Sequence, residues 1–136
     1  VILVQTPRSF RDSPENLKNA EEFFEKVERN NFGIAFEPRG WKKENVRKIC
    51  KKFDLIHCVD PFKEDSTFFS RRKIAYFRLH GSYERGRINY KHKYSLKELK
   101  ELKKKIEGLK VKEAFCLFNN IYMLEDSIRF KKILNL

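Results

Sequence analysis

Several short apolar runs in this chain each stop on a polar or ionisable residue, and this pattern restricts the fold more than any other feature. Val1-Ile2-Leu3-Val4 stops at Gln5, Ile34-Ala35-Phe36 at Glu37, and Leu55-Ile56-His57-Cys58-Val59 at Asp60. Ala75-Tyr76-Phe77 runs into Arg78 and then Leu79-His80-Gly81, and Ala114-Phe115-Cys116-Leu117-Phe118 stops at Asn119-Asn120. Short continuous apolar runs separated by helical patterns read as buried parallel strands. In such sheets ligands sit at the carboxyl ends of the strands, so the polar stops are expected to gather on one face.

The helical patterns between the runs carry their own start and stop signals. Ser13 before Pro14 is an N-cap hydroxyl followed by a proline whose missing N–H costs nothing in the first turn. Leu17, Ala20, Phe23, Phe24 and Val27 then repeat at helical spacing, and Asn30-Asn31 is expected to end the helix. A second helix is predicted over Glu44–Phe53, and a third opens on a Ser95/Glu98 capping box and closes at Gly108. A fourth is predicted over Tyr122–Leu134, with Leu124, Ile128 and Leu134 buried. The strands are predicted at 1–5, 33–37, 55–59, 74–79 and 111–118, with loops over 61–72 and 81–94.

The order is β-α-β-α-β-loop-β-α-β-α, an α/β chain of parallel βα units with right-handed crossovers. Side chains alternate along a strand, so residues two and four before each stop share its face. Ala35 and Gly33 go with Glu37, Cys58 and Ile56 with Asp60, and Tyr76 and Ile74 with Arg78. The opposite faces carry Ile34, Phe36, Val59, Phe77 and Leu79, a bulky surface suited to helices.

A length of 136 residues fits one domain spanning 1–136, and 13 Phe supply a real core. No apolar run approaches a bilayer span, and the first residues lack the basic start and cleavage pattern of a signal peptide. Cys50, Cys58 and Cys116 form no CxxC pair, so buried thiols in a reducing cytoplasm are expected rather than a disulfide framework. The net charge of +12 points to an anionic ligand or nucleic acid as partner, although Lys- and Glu-rich chains also arise from thermal adaptation.

Taken in order, several motifs resemble the YecE-like family of TIM barrels, a domain of unknown function. They are Gln5-Thr6-Pro7, Glu37-Pro38-Arg39 with Trp41, Asp60, Tyr76-Phe77-Arg78-Leu79-His80-Gly81, Tyr90, Tyr94-Ser95 and Phe118-Asn119-Asn120. The resemblance runs over the whole chain. Family members are longer, and their G-x-S-G-W opening and asparagine–tyrosine motif have no counterpart here. It implies about five of the eight βα units of a TIM-like barrel, the carboxyl-terminal half. The chain is then expected to be a fragment or split product, whose open edge calls for its missing amino-terminal half or a second copy. The family supplies no reaction.

The strand-end residues suggest roles. Glu37 beside Arg39 could be a general base held ionised, or a structural ion pair. Asp60 could act as acid or base, or cap the turn before Pro61. His80 suits proton transfer, and Arg78, on the same side of its strand, suits a grip on phosphate. His57 is expected in the core. Gln5, Arg39, Arg78, Tyr90, Tyr94, Asn119 and Asn120 form the candidate substrate-binding set, with helix capping as the alternative for the asparagines. The loop over 81–94 interleaves Arg85, Arg87, Lys91 and Lys93 with tyrosines, a pattern suited to phosphate contacts and base stacking.

No HxH, HExxH or paired-cysteine spacing exists, so no metal ligands are assigned, although Glu37, Asp60 and His80 could supply oxygen and nitrogen ligands to a divalent ion. P-loop, Rossmann and α/β-hydrolase signatures are absent. Three readings follow. The first is a hydrolase of a phosphate-bearing or nucleic-acid substrate using Glu37, Asp60 and His80. The second is a non-catalytic nucleic-acid-binding module using the 81–94 loop. The third is a half that needs its partner strands before it acts, so whether this chain is an enzyme stays open.

Overall fold

Burial begins with the strand Ile34–Pro38 (β2), whose five residues are all buried. It lies between Ile2–Thr6 (β1) and Ile56–His57 (β3), and both pairings are parallel. A computed structural model describes residues 1–136, in two compact units. The first holds 1–58 and 66–75, and the second 59–65 and 76–136.

In the first unit, helices Pro14–Lys26 (α1) and Lys43–Phe53 (α2) cover one side of this sheet. Ala20, Phe24, Val46, Ile49 and Cys50 from the helices cluster with Ile34 and Phe36 of β2, while Ala35 and Glu37 stay outside that cluster. The alternation read from the sequence therefore separates the helix-facing side from the other. Phe24 meets Phe36 edge-on at 5.0 Å, and Phe36 meets Trp41 at 5.5 Å. Edge-to-face rings of this kind add to the area they bury.

The Ser13 hydroxyl accepts the Asn16 N–H at 3.2 Å, as its place before Pro14 predicts. The helix ends earlier than expected, at Lys26. Val27 turns to extended backbone, and Asn30 and Asn31 take left-handed conformations outside the helix. Helix α2 has no side-chain cap of its own; Asp12 accepts from Lys42 N–H at 3.0 Å and from Asn45 Nδ2 at 2.7 Å. The third strand is shorter than its apolar run, because only Ile56 and His57 pair with β2.

In the second unit Val59 makes a single parallel bridge to Phe77. Phe77 belongs to Ile74–Leu79 (β4), which matches the predicted span and pairs with Glu113–Phe118 (β7). The stretch read as a loop holds a hairpin instead, Ser82–Glu84 (β5) against Arg87–Asn89 (β6). Arg85 and Gly86 both have positive φ, 48° and 78°, the geometry of the two-residue turn that suits a twisted hairpin. Period-2 alternation over three residues is too short a signal to find such strands in sequence.

Helix Leu96–Glu107 (α3) carries both halves of its capping box. The last helix, Met123–Ile133 (α4), corrects the expected buried set. Leu124 is 73% exposed and Ile128 47%, and the buried residues are Asp126 and Phe130. Phe130 packs on Phe118 at 5.9 Å, and the Asp126 carboxylate finds three donors on the same side. A partnered carboxylate and an aromatic contact thus set the rotation of α4 against its aliphatic stripe. No helix is long and apolar enough to cross a membrane.

Candidate functional site

The strand-end residues form two groups, one in each unit. In the first, Gln5 and Glu37 are register partners across β1 and β2. Arg39 Nε donates to Glu37 Oε1 at 3.0 Å, and Cys58 Sγ lies 3.8 Å from Glu37 Oε2. The guanidinium and the thiol thus meet different oxygens of one buried carboxylate. His57 is core, as expected: its Nδ1 accepts the Thr67 N–H at 3.1 Å. Burial, with Lys43 adding and Glu37 opposing, pushes its pKa down to about 4, so the ring is neutral near pH 7.

In the second unit Asp60 sits at the centre. Its Oδ1 accepts the Phe62 N–H at 3.0 Å, closing the turn after Pro61. Its Oδ2 accepts the His80 N–H at 2.9 Å and the Tyr83 hydroxyl at 3.0 Å. The His80 ring follows, with Nδ1 3.4 Å from the same oxygen. Three donors commit the Asp60 carboxylate to holding these neighbours in place.

His80 is different. It is 4% exposed, yet neither ring nitrogen makes a hydrogen bond. Buried polar atoms without partners are rare, and a functional role is one recognised reason for them. The Tyr90 ring lies edge-on to it at 6.3 Å, with Tyr90 partly exposed. Gly81 follows with φ +111°, and a Cβ there would sit 2.3 Å from the Asn89 carbonyl oxygen. Tyr94 clamps this glycine by accepting the Gly81 N–H at 2.8 Å and donating to its carbonyl at 3.2 Å. Burial first, then the Asp60 charge, raises the Tyr94 phenol well above its ordinary pKa.

Asn119 donates its N–H to Leu79 O at 2.7 Å, which brings the end of β7 beside the end of β4. The Asn120 side chain does not cap α4. It turns back to the His92 carbonyl and to Asp126. Arg78 is half-buried in β4, with its N–H on the Val59 carbonyl. Arg85, Arg87, Lys91 and Lys93 are exposed on and after the hairpin, and Lys93 is ion-paired to Glu125. No three His, Cys, Asp or Glu side chains come together as metal ligands. All three cysteines are free thiols, and burial pushes Cys50 and Cys116 up to about 12.

Asp126 and Arg129, which complete this group, gave no sequence signal. An aspartate in the first turn of a helix reads as a partner for the helix dipole, and only the fold buries it.

The chain matches the family described as "Protein of unknown function DUF72" over residues 1–135. It belongs to the DUF72 family, the same family as YecE-like. A DUF72 protein of Thermotoga maritima is 31% identical, with a TM-score of 0.75 over 98% of this chain and 57% of its own. Two structures of a DUF72 protein from Enterococcus faecalis are 22% and 23% identical, with TM-scores of 0.73 and 0.69, and support the fold. This DUF72 chain spans 57–60% of the length of those solved chains. No curated protein matches it.

Proposed function

We propose that this DUF72 chain forms about five of the eight βα units of a TIM-like barrel, and that the end of β4 carries acid–base chemistry on a phosphate-bearing or nucleic-acid substrate. The observation that carries this is His80, a buried imidazole that makes no hydrogen bond through either ring nitrogen and whose Nδ1 lies 3.4 Å from a carboxylate. Asp60 would steady the imidazolium as it forms, and Arg78 would hold the phosphate. In hydrolysis of a phosphate ester, His80 accepts a proton from the attacking water and the bond to the leaving oxygen breaks. The proton then passes to that oxygen. Positioned proton transfer of this kind contributes about 10²–10⁴-fold.

The test is phosphatase and phosphodiesterase assay with p-nitrophenyl phosphate and bis(p-nitrophenyl) phosphate. His80→Asn should lower turnover by about 100-fold or more while the circular dichroism spectrum is unchanged. Equal turnover in both proteins would end this reading.

A second reading rests on the hairpin, which exposes Arg85 in its turn and Arg87 at the start of β6. As a nucleic-acid-binding surface it would weaken steeply with salt. Replacing Arg85, Arg87 and Lys91 with Gln should flatten that salt dependence, whereas His80→Asn should leave it alone.

A further inference from the structure

Asn120 is 1% exposed, and all of its side-chain hydrogen bonds lie on one end of its amide. Nδ2 donates to Asp126 Oδ2 at 2.7 Å and to the His92 carbonyl at 2.8 Å. Both partners are oxygens that can only accept in this ion-paired arrangement. Turning the amide over would set its own oxygen against two others, so the orientation is fixed by chemistry. Oδ1 is left buried and accepts no hydrogen bond.

The group that fixes it is itself locked. Asp126 is fully buried, accepts the Tyr94 N–H at 3.3 Å, and pairs with Arg129 Nη1 at 3.1 Å. Arg129 also donates to the Tyr94 carbonyl at 2.7 Å. Asn119 bonded to Leu79 puts Asn120 and His80 each one residue past that contact, at neighbouring strand ends. Two buried side chains there therefore hold unpartnered polar atoms, an acceptor on Asn120 and the ring nitrogens of His80.

We propose that Asn120 Oδ1 receives a hydrogen bond from a hydroxyl or N–H of the ligand, and that Asp126 and Arg129 are positioning residues that make the amide present its oxygen. This rests on the β4 end being the site described above, and it names the substrate class: a phosphate ester carrying a donor group, such as a sugar hydroxyl. A buried acceptor left unmade is costly, so the site discriminates against esters without that donor.

The experiment is calorimetric titration of the full chain with ribose 5-phosphate and with methyl phosphate, which has no hydroxyl on carbon. The wild-type chain should prefer ribose 5-phosphate by about ten-fold, the scale of one good hydrogen bond. Asp126→Asn removes one of the two acceptors that fix the amide and should narrow the gap between the two affinities. A measurement on the wild-type chain needs no variant to fold. Ribose 5-phosphate should shift the Asn120 side-chain carbonyl carbon resonance, methyl phosphate should leave it unmoved, and the Nδ2 protons should stay slow to exchange with either ester. If neither ester binds, the site reading falls and this proposal with it. If both bind equally and the Asn120 carbonyl does not move, the proposal alone is overturned. A ten-fold preference that survives in folded Asp126→Asn removes the positioning role.

Discussion

Tyr94→Phe isolates the clamp on Gly81. The substitution removes one oxygen from a residue that is 1% exposed and keeps its ring contacts with Phe62, His92 and Phe118 at 5.4, 5.2 and 5.6 Å. Two hydrogen bonds go, one at 2.8 Å from the Gly81 N–H and one at 3.2 Å to its carbonyl. Each contributes about 1 kcal/mol, and the buried N–H left behind adds a further ~1 kcal/mol, for a total of roughly 3 kcal/mol. With a urea slope of about 2 kcal/mol/M, the midpoint should fall by ~1.5 M at pH 7. The same hydroxyl sets a pH dependence. The folded phenol ionises above its ordinary 10.0, so its contribution is intact below pH 10. That contribution is lost as pH rises toward the folded value, because the unfolded tyrosine ionises first. The gap between wild type and Tyr94→Phe should therefore narrow above pH 10. Urea unfolding followed by circular dichroism at pH 7 and pH 10.5, with hydrogen exchange of the Gly81 amide, reads all of this. A midpoint shift under about 0.3 M with an equally protected Gly81 amide would refute the clamp.

Other outcomes follow from single contacts. His57 should titrate by NMR near 4 instead of 6.5. Because its folded pKa is depressed, its contribution is intact above 6.5 and should be lost as pH falls toward 4. Gly81→Ala meets a backbone oxygen at 2.3 Å and a positive φ, and should cost at least ~2 kcal/mol in thermal or urea unfolding. Ser95→Ala removes one half of the capping box on α3 and should cost about 1 kcal/mol by the same assay. Leu124→Ser, at a position that is largely exposed, should change the stability of this chain by no more than about 0.5 kcal/mol.

The sequence was most legible where the signal is local. The Ser13 cap, the Ser95/Glu98 capping box and the span of β4 follow from neighbours within a few positions. The alternation along β2 separated Ile34 and Phe36 from Glu37 for the same reason. Helix α4 was misread by that rule: its aliphatic residues suggested one buried face, and Asp126 and Phe130 took another. The site divides in the same way. Glu37 with Arg39 lies two residues apart and could be paired by eye, and Asp60, His80 and Asn120 stood out as strand ends.

What their side chains do was not readable. Asp60 meets the His80 N–H and the Tyr83 hydroxyl across 20 and 23 residues, and Asn120 meets the His92 carbonyl across 28. A hydrogen bond depends on direction and a separation of about 3 Å, which periodicity along the chain does not specify. The sequence by itself determined the α/β order of the helices and main strands and, to within a few residues, where those strands stop, because those depend on local conformational preference and the period of burial. Only the tertiary structure decided which of those residues are saturated, as Asp60 is, and which keep unpartnered atoms in a buried setting, as His80 and Asn120 do.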